Sequence, residues 1–67
     1  MIVPFSQLRD RIVRILVCNG EYVCGLVTGY VSPEDNALSE ESILVQAALG
    51  EIAEFYRADI HELEILA

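Results

Sequence analysis

Few side chains in this sequence could perform acid–base or metal chemistry, and their spacing does not favour it. His61 is the only histidine, and Asp59, Glu62 and Glu64 stand beside it. Metal ligands must converge on one point, whereas neighbouring residues of a strand point to opposite faces of a sheet. We therefore expect no metal site, and we expect His61 to be a surface or interface residue.

Residues for covalent catalysis are not evident either. No serine or cysteine has candidate partners for a catalytic triad. Acidic pairs such as Glu40 and Glu41 are typical of a solvated acidic face. Gly25 and Gly29 fall inside a predicted strand, not at the strand-to-helix turn that a phosphate-binding loop requires. The sequence therefore predicts a protein that is not an enzyme and that needs no cofactor.

The two cysteines, Cys18 and Cys24, flank the dipeptide Asn19-Gly20. Their spacing is neither that of a zinc knuckle nor that of a redox CxxC motif. If the turn is a two-residue hairpin loop, Cys24 lies opposite Ile15 and the two thiols point to opposite faces. We expect two reduced, partly buried cysteines.

Length and composition predict one small domain over residues 1–67. The chain has 67 residues, of which 54% are hydrophobic. A domain of this size buries only about 60% of the surface that its unfolded chain exposes, so it is near the lower limit for folding alone. Apolar side chains that do not fit inside one small core must contact something else, and a second subunit is the simplest candidate. We expect a homo-oligomer.

Charge is distributed unevenly along the chain. The four basic residues are all arginine; residues 1–33 carry a balance of +1 and residues 34–67 a balance of −8, which gives the net charge of −7. Such a surface repels phosphate, so we do not expect nucleic acid or anionic lipid to bind by bulk charge. No signal-peptide pattern is visible and the apolar runs are too short to span a bilayer, so a cytoplasmic location is expected.

The first half of the chain predicts a short helix followed by a hairpin. Pro4 suits a first helical turn, and the spacing of Phe5, Leu8 and Ile12 is helical, which predicts a short helix over 4–11 that ends where Ile12 opens the first strand. Two β-branched runs then meet at Asn-Gly, which favours a type I′ turn between strands over 12–18 and 21–32. In that register Val13, Ile15 and Val17 share a face with Tyr22, Cys24 and Leu26. Two glycines in the second strand indicate a sharp bend; they are Gly25 and Gly29.

The second half is ambiguous by periodicity. The segment 32–41 predicts an exposed acidic loop. SILVQ, EIAEFY and IHELEIL then look like three strands separated by 47–50 and 57–59. However, apolar residues from Leu49 to Leu63 also fall at helical spacing, and a helix over 47–58 is an open alternative.

Two motifs resemble those of the Sm/LSm-like proteins. CGLVTGYV is similar to the first Sm motif, in which Gly25, Gly29 and Tyr30 match in type and spacing, and FYRADIHELEIL is similar to the second. The resemblance covers the chain from about Phe5 to Leu66, and is greatest to small bacterial Sm-like proteins of unassigned role. It implies an all-β fold with a short N-terminal helix and a five-stranded, strongly bent β-barrel over 12–66. It also favours strands in the second half.

The resemblance further implies a site for single-stranded RNA or a nucleotide. Arg57, Tyr30 and Asn36 would form it, with Tyr30 as a stacking surface. The motifs depart from the family pattern in three places. Val31 stands where RNA-binding members have Asp, Asn36 reaches the position of their Asn only with an insertion, and Ala58 stands where they have Gly. A simpler interpretation is that Arg57 forms an ion pair, either with Asp59 or with a carboxylate of a neighbouring subunit.

Family members form rings in which the fourth strand of one subunit pairs with the fifth strand of the next. For this chain the resemblance implies an interface at residues of those two strands, namely Ile52, Phe55, Tyr56, Leu63 and Ile65. Our first hypothesis is a non-catalytic Sm-like interaction module that self-assembles and binds a protein partner. The alternative is RNA or nucleotide binding through the degenerate Sm-type site.

Overall fold

The computed structural model describes residues 4–67, which form one antiparallel sheet of five strands. The strands are β1 Ile12–Val17, β2 Tyr22–Val31, β3 Ser42–Gln46, β4 Ile52–Tyr56 and β5 Ile60–Ile65. Their order across the sheet is β4-β3-β2-β1-β5. The prediction of an all-β domain is confirmed, and the alternative of a helix over 47–58 is wrong. No helix among the residues described is long and apolar enough to cross a membrane.

The predicted helix over 4–11 is wrong in length and type, because only one 3-10 turn forms, at Phe5–Gln7. The Asp10 N–H donates to the Val27 carbonyl (2.8 Å), and the Val27 N–H donates to the Arg11 carbonyl (2.9 Å). This pairing with β2 places Asp10 at φ 68°, in the left-handed region, which a right-handed helix cannot contain. Ile12 consequently begins β1 and is exposed instead of joining Phe5 in the interior.

The hairpin between β1 and β2 forms where predicted, but its turn and register differ from the prediction. Within this turn Gly20 alone has a positive φ (90°), and the Glu21 N–H donates to the Asn19 side-chain oxygen at 3.0 Å. The Val17 N–H donates to the Glu21 carbonyl (2.9 Å). The loop between these two residues therefore has three residues, not two. Because one residue is added, the predicted face pairing of β1 with Tyr22, Cys24 and Leu26 is wrong.

The observed register pairs Ile15 with Val23 and Arg14 with Cys24. A one-residue change of register moves every side chain of β2 to the other face, so Val23 and Val27 face the interior. Both cysteines are free and exposed, not partly buried as predicted.

Strand β2 bends where its glycines predict. The pairing of β2 with β3 shifts register between Val27 and Gly29, which marks a bulge at Thr28. At Gly25 the backbone of β3 approaches so closely that a Cβ would lie 2.4 Å from the Gln46 carbonyl oxygen. Only glycine fits there, and the close approach lets β2 form ladders with both β1 and β3.

The core lies on one face of the three central strands. Two side chains of the N-terminal segment cover it, and the fully or nearly fully buried residues are Phe5, Leu8, Val13, Ile15, Val27, Ile43 and Val45. The edge strands β4 and β5 contain no residue of this buried class. We call the face that carries these core residues the inner face and the opposite one the outer face.

The sheet curls, and it is not closed. Strands β4 and β5 lie at opposite edges, yet only the 3-10 turn Arg57–Asp59 connects them. Four Cα–Cα steps reach at most about 15 Å, whereas the edges of a flat five-stranded sheet would be about 19 Å apart. Curling brings the edges toward each other, but no ladder joins β4 to β5 within residues 4–67.

Candidate functional site

The turn that links the two edge strands is held by hydrogen bonds from two other parts of the chain. The Arg57 N–H donates to the Glu41 carbonyl (3.1 Å), and the Ala58 N–H donates to the Glu40 carboxylate (2.7 Å). On the other side, the Cys18 N–H donates to the Asp59 carbonyl (3.1 Å). The turn that carries Arg57 is therefore anchored both to the end of the acidic loop and to the hairpin.

The Arg57 guanidinium is neutralised within the chain. Its Nη1 lies 2.9 Å from Glu41 Oε2, and its carbon lies 4.9 Å from the centre of the Phe5 ring. The expected ion pair of Arg57 is therefore present, but its partner is Glu41 and not Asp59. The register explains this partner, because Glu41 lies directly across the ladder from Arg57, whereas Asp59 is the last residue of the turn that Arg57 begins.

Tyr30 joins the same cluster through its hydroxyl. The Tyr30 hydroxyl donates to Glu41 Oε1 at 3.1 Å, so one carboxylate binds both a tyrosine and an arginine. Burial raises the pKa of Tyr30 above its usual value of 10.0, and the hydrogen bond and negative charge of Glu41, with a contribution from Glu34, raise it further. Tyr30 also packs against the core, so its ring is only partly available for stacking.

Asn36 belongs to a second polar cluster, centred on Ser42. The Ser42 side chain is fully buried; its hydroxyl accepts from Asn36 Nδ2 at 3.3 Å and donates to Glu54 Oε2 at 2.6 Å. The Tyr56 hydroxyl donates to Glu54 Oε1 at 3.4 Å. Burial raises the pKa of Tyr56, the Glu54 charge and hydrogen bond raise it further, and Asn36 lowers it. No buried side-chain polar atom among the described residues lacks a partner.

The two clusters lie on opposite faces of the sheet. Tyr30 pairs with Ile43 on the inner face, whereas Ser42 pairs with Tyr56 on the outer face. The structure thus brings Tyr30 and Arg57 together through Glu41, and it places Asn36 elsewhere. The three residues of the predicted nucleic-acid site do not form one surface.

The predicted interface residues fall into two groups. Three of them pack partly against the core, namely Phe55, Leu63 and Ile65. Tyr56 is half-buried, and Ile52 is 58% exposed at the start of β4. All five lie on the edge strands.

The outer edge of β4 presents backbone donors that face no other strand within residues 4–67. Hydrogen bonds from Ala47 to Glu51 and from Arg57 to Glu41 mark the bonded positions at the two ends of the β3–β4 ladder. Bonded and non-bonded pairs alternate in an antiparallel ladder, so the N–H groups of Ile52, Glu54 and Tyr56 point away from β3. These amides form an open hydrogen-bonding edge.

His61 is exposed on β5, and within residues 4–67 no group of three or more His, Cys, Asp or Glu side chains is placed to hold a metal ion. Sequence reasoning missed three polar residues that organise the clusters, namely Glu41, Ser42 and Glu54. Ser42 and Glu54 fall in segments that could be read as strands. Their shared position on one face could have been found only with the β3–β4 register.

Comparisons of this chain with protein-family models, with curated proteins and with solved structures found no match, so the resemblance to Sm-like proteins rests on the sequence motifs.

Proposed function

We propose that this chain is a non-catalytic interaction module that assembles with copies of itself through the edges of its sheet and binds a protein partner. The observation that carries the proposal is that β4 and β5, at the two borders of a curled sheet, each have one side without a strand partner among the described residues. An unprotected edge is a template for another strand. Pairing β4 of one copy with β5 of the next would satisfy the outward amides of β4.

An Sm-like barrel is the finer form of this proposal. Support comes from the strand order, from the glycine-bent β2 and from the short turn that connects the edges. In such an arrangement the curvature of each copy would direct successive copies around a closed ring. A cytoplasmic location remains part of the same prediction.

A homo-oligomer also accounts for the apolar surface of the edge strands. Both strands carry several apolar residues, and Ile52 is more than half exposed at the border of the sheet. Pairing with another copy would bury this surface. The protein partner would then bind the assembled form.

The nucleic-acid alternative is less well supported. Arg57 is paired with Glu41, the neighbouring Ala58 amide is occupied by Glu40, and Asn36 lies on the other face. A phosphate or base would have to displace a carboxylate that the chain itself supplies. We expect short single-stranded oligonucleotides to show no sub-micromolar binding in fluorescence anisotropy at low or moderate salt. Sub-micromolar binding that is lost in Arg57→Ala would favour the alternative.

The test of self-assembly is the mass in solution of three proteins: the natural chain, Glu54→Pro and Glu54→Gln. Proline at position 54 removes an amide that points to the open edge and leaves the β3 ladder intact. Glutamine retains that amide and keeps a side chain that can accept from Ser42, so it controls for the lost carboxylate. We expect an oligomer for the natural chain and for Glu54→Gln, and a smaller species for Glu54→Pro, by light scattering. A monomer for the natural chain at micromolar concentration would refute the proposal.

A further inference from the structure

The loop that joins β1 to β2 combines a reactive dipeptide with a backbone that hydrogen bonds close. Asn19 and Gly20 are both exposed, and a Cβ on Gly20 would meet no heavy atom within 4 Å other than those of its chain neighbours. Asparagine is thermolabile, most of all before glycine, because glycine has no side chain to hinder attack by its own amide nitrogen. Exposure and sequence therefore leave the Asn19 side chain open to this attack.

The reaction available to this dipeptide is deamidation through a cyclic imide. The Gly20 amide nitrogen loses its proton to a base in solution and attacks Cγ of Asn19. A C–N bond forms, the bond from Cγ to Nδ2 breaks, and Nδ2 takes a proton from solvent and leaves as ammonia. Water then opens the five-membered ring. Hydrolysis at the Cγ carbonyl gives aspartate, whereas hydrolysis at the main-chain carbonyl gives isoaspartate, in which the backbone runs through the former side chain.

Hydrogen bonds of the closed loop engage both reacting groups. The Gly20 N–H donates to the Val17 carbonyl at 2.9 Å, so the proton that must leave is bound within the turn. The Glu21 N–H donates to Asn19 Oδ1 at 3.0 Å, which fixes the side-chain carbonyl that would be attacked. The Val17 N–H donates to the Glu21 carbonyl at 2.9 Å and closes the ladder below them. The nitrogen can therefore react with Cγ only when the loop opens.

We propose that Asn19 is a deamidation site that the closed hairpin restrains, and that conversion to isoaspartate prevents the hairpin from closing again. The rate in the folded chain is the rate of the open loop multiplied by the fraction of time that the loop is open. Isoaspartate adds one atom to the main chain of a three-residue loop. The alignment of Val17 with Glu21 is then lost, so the modification is irreversible in structure as well as in chemistry.

The effect of the modification extends beyond the hairpin. The Cys18 N–H donates to the Asp59 carbonyl at 3.1 Å, and Cys18 Sγ lies 3.3 Å from the Ala58 carbonyl oxygen. Both groups belong to the residue directly before Asn19. Conversion to isoaspartate therefore also disturbs the anchor of the turn between β4 and β5. The proposal does not depend on self-assembly.

The first test follows deamidation of the natural chain by mass spectrometry in mildly alkaline buffer, with and without denaturing guanidinium chloride. Cleavage after glutamate separates Asn19 from Asn36, which is followed by Ala37 and serves as the internal control. We expect Asn19 to react faster than Asn36 in denaturant, and at least about tenfold more slowly in the folded chain than in denaturant. A rate for Asn19 no higher than that of Asn36 in denaturant would refute the site. Equal rates for Asn19 in the folded and unfolded chain would refute the restraint by the hairpin.

The second test compares the purified isoaspartyl chain with Asn19→Asp, which has the same composition and charge. Asn19→Asp keeps an oxygen that can accept from the Glu21 N–H, so it should keep the hairpin. In hydrogen exchange followed by NMR, we expect the Gly20 and Val17 amides to be protected in the natural chain and in Asn19→Asp, and to exchange at least about tenfold faster in the isoaspartyl chain. Equal protection in the isoaspartyl chain and in Asn19→Asp would show that the modified loop still closes and would overturn the proposal.

Discussion

The three central strands and the two edge strands differ in what their side chains contact. Strands β1, β2 and β3 contain every strand residue that is buried in the core, whereas β4 and β5 are exposed or half-buried along their whole length. The edge strands nevertheless belong to the same sheet and have the same antiparallel pairing. The difference indicates that the central strands supply most of the stability of the fold, while the edge strands leave more of their surface exposed.

Truncating a core side chain is expected to have the largest effect. Ile15→Ala on β1 should reduce the free energy of unfolding by about 2–5 kcal/mol, because it removes a fully buried side chain and leaves a cavity. Ile52→Ala on β4, at an exposed position, should change it by less than about 0.5 kcal/mol. Urea denaturation at matched oligomeric state would measure both. Equal losses would contradict the division between centre and edge.

A smaller loss is expected at the point where β2 and β3 approach most closely. Gly25→Ala places a Cβ 2.4 Å from a backbone oxygen, which cannot move without disturbing the ladder, so we expect a loss of about 1–3 kcal/mol. Gly29→Ala meets only the Leu44 side chain at 3.1 Å, which can shift, and should cost less. A reversal of this order in thermal denaturation would show that β2 is not anchored at Gly25.

Ser42 tests the junction between the two regions, since it is buried on β3 and bonded to Glu54 on β4. Ser42→Ala removes the hydroxyl that both Asn36 and Glu54 use, and should cost about 1–2 kcal/mol. Ser32→Ala removes a hydrogen bond to Asp35 in an exposed loop and should cost less than about 0.5 kcal/mol. Denaturant midpoints of the two variants give the comparison. A Ser42→Ala protein as stable as Ser32→Ala would mean that the junction contributes little.

The pH dependence is expected to be smaller, and it involves one tyrosine in each region. Tyr30 on β2 and Tyr56 on β4 both have a pKa raised above 10.0 by burial and by a neighbouring glutamate. The unfolded chain therefore releases these protons at lower pH than the folded chain does. The stability that the two hydroxyls contribute is present below pH 10.0 and is lost as the pH rises through the raised folded values.

Denaturation between about pH 9 and pH 11, followed in parallel by tyrosinate absorbance, measures this contribution. Tyr30→Phe should remove the pH-dependent stability that comes from the central strands. Tyr56→Phe should remove the pH-dependent stability that comes from the edge strand β4. If neither substitution changes the slope of stability against pH, the hydrogen bonds to Glu41 and Glu54 do not act as described.

Much of the strand arrangement follows from local sequence. The Asn19-Gly20 turn and the glycines of β2 were each predicted at the right position. The turn type was not, because the Asn19 side chain can either support a left-handed backbone or accept the Glu21 amide, and the dipeptide does not show which occurs. The turn type sets the loop at three residues and not two, and this difference in register decides which face of β2 enters the core.

Other features depend on contacts distant in sequence. Periodicity could not distinguish strands from a helix over 47–58, where pairing with β3 decides the outcome. The N-terminal segment satisfied a helical pattern, yet pairing of Asp10 and Arg11 with Val27 ended it after one turn. The partner of Arg57 was likewise fixed by the ladder and not by its sequence neighbours. The resemblance to Sm-like proteins correctly favoured strands, while the nucleic-acid site that it implies was divided between two faces.

The turn Arg57–Asp59 has a geometric consequence for any assembly built from edge pairing. Only three residues join β4 at one edge of the sheet to β5 at the other. The wedge angle between the two edges is therefore set within a single polypeptide. In a ring built by such pairing, that angle would determine how many copies complete the circle. Lengthening this connection by one or two glycines would open the wedge and change the number of protomers without altering a single residue at the contact itself.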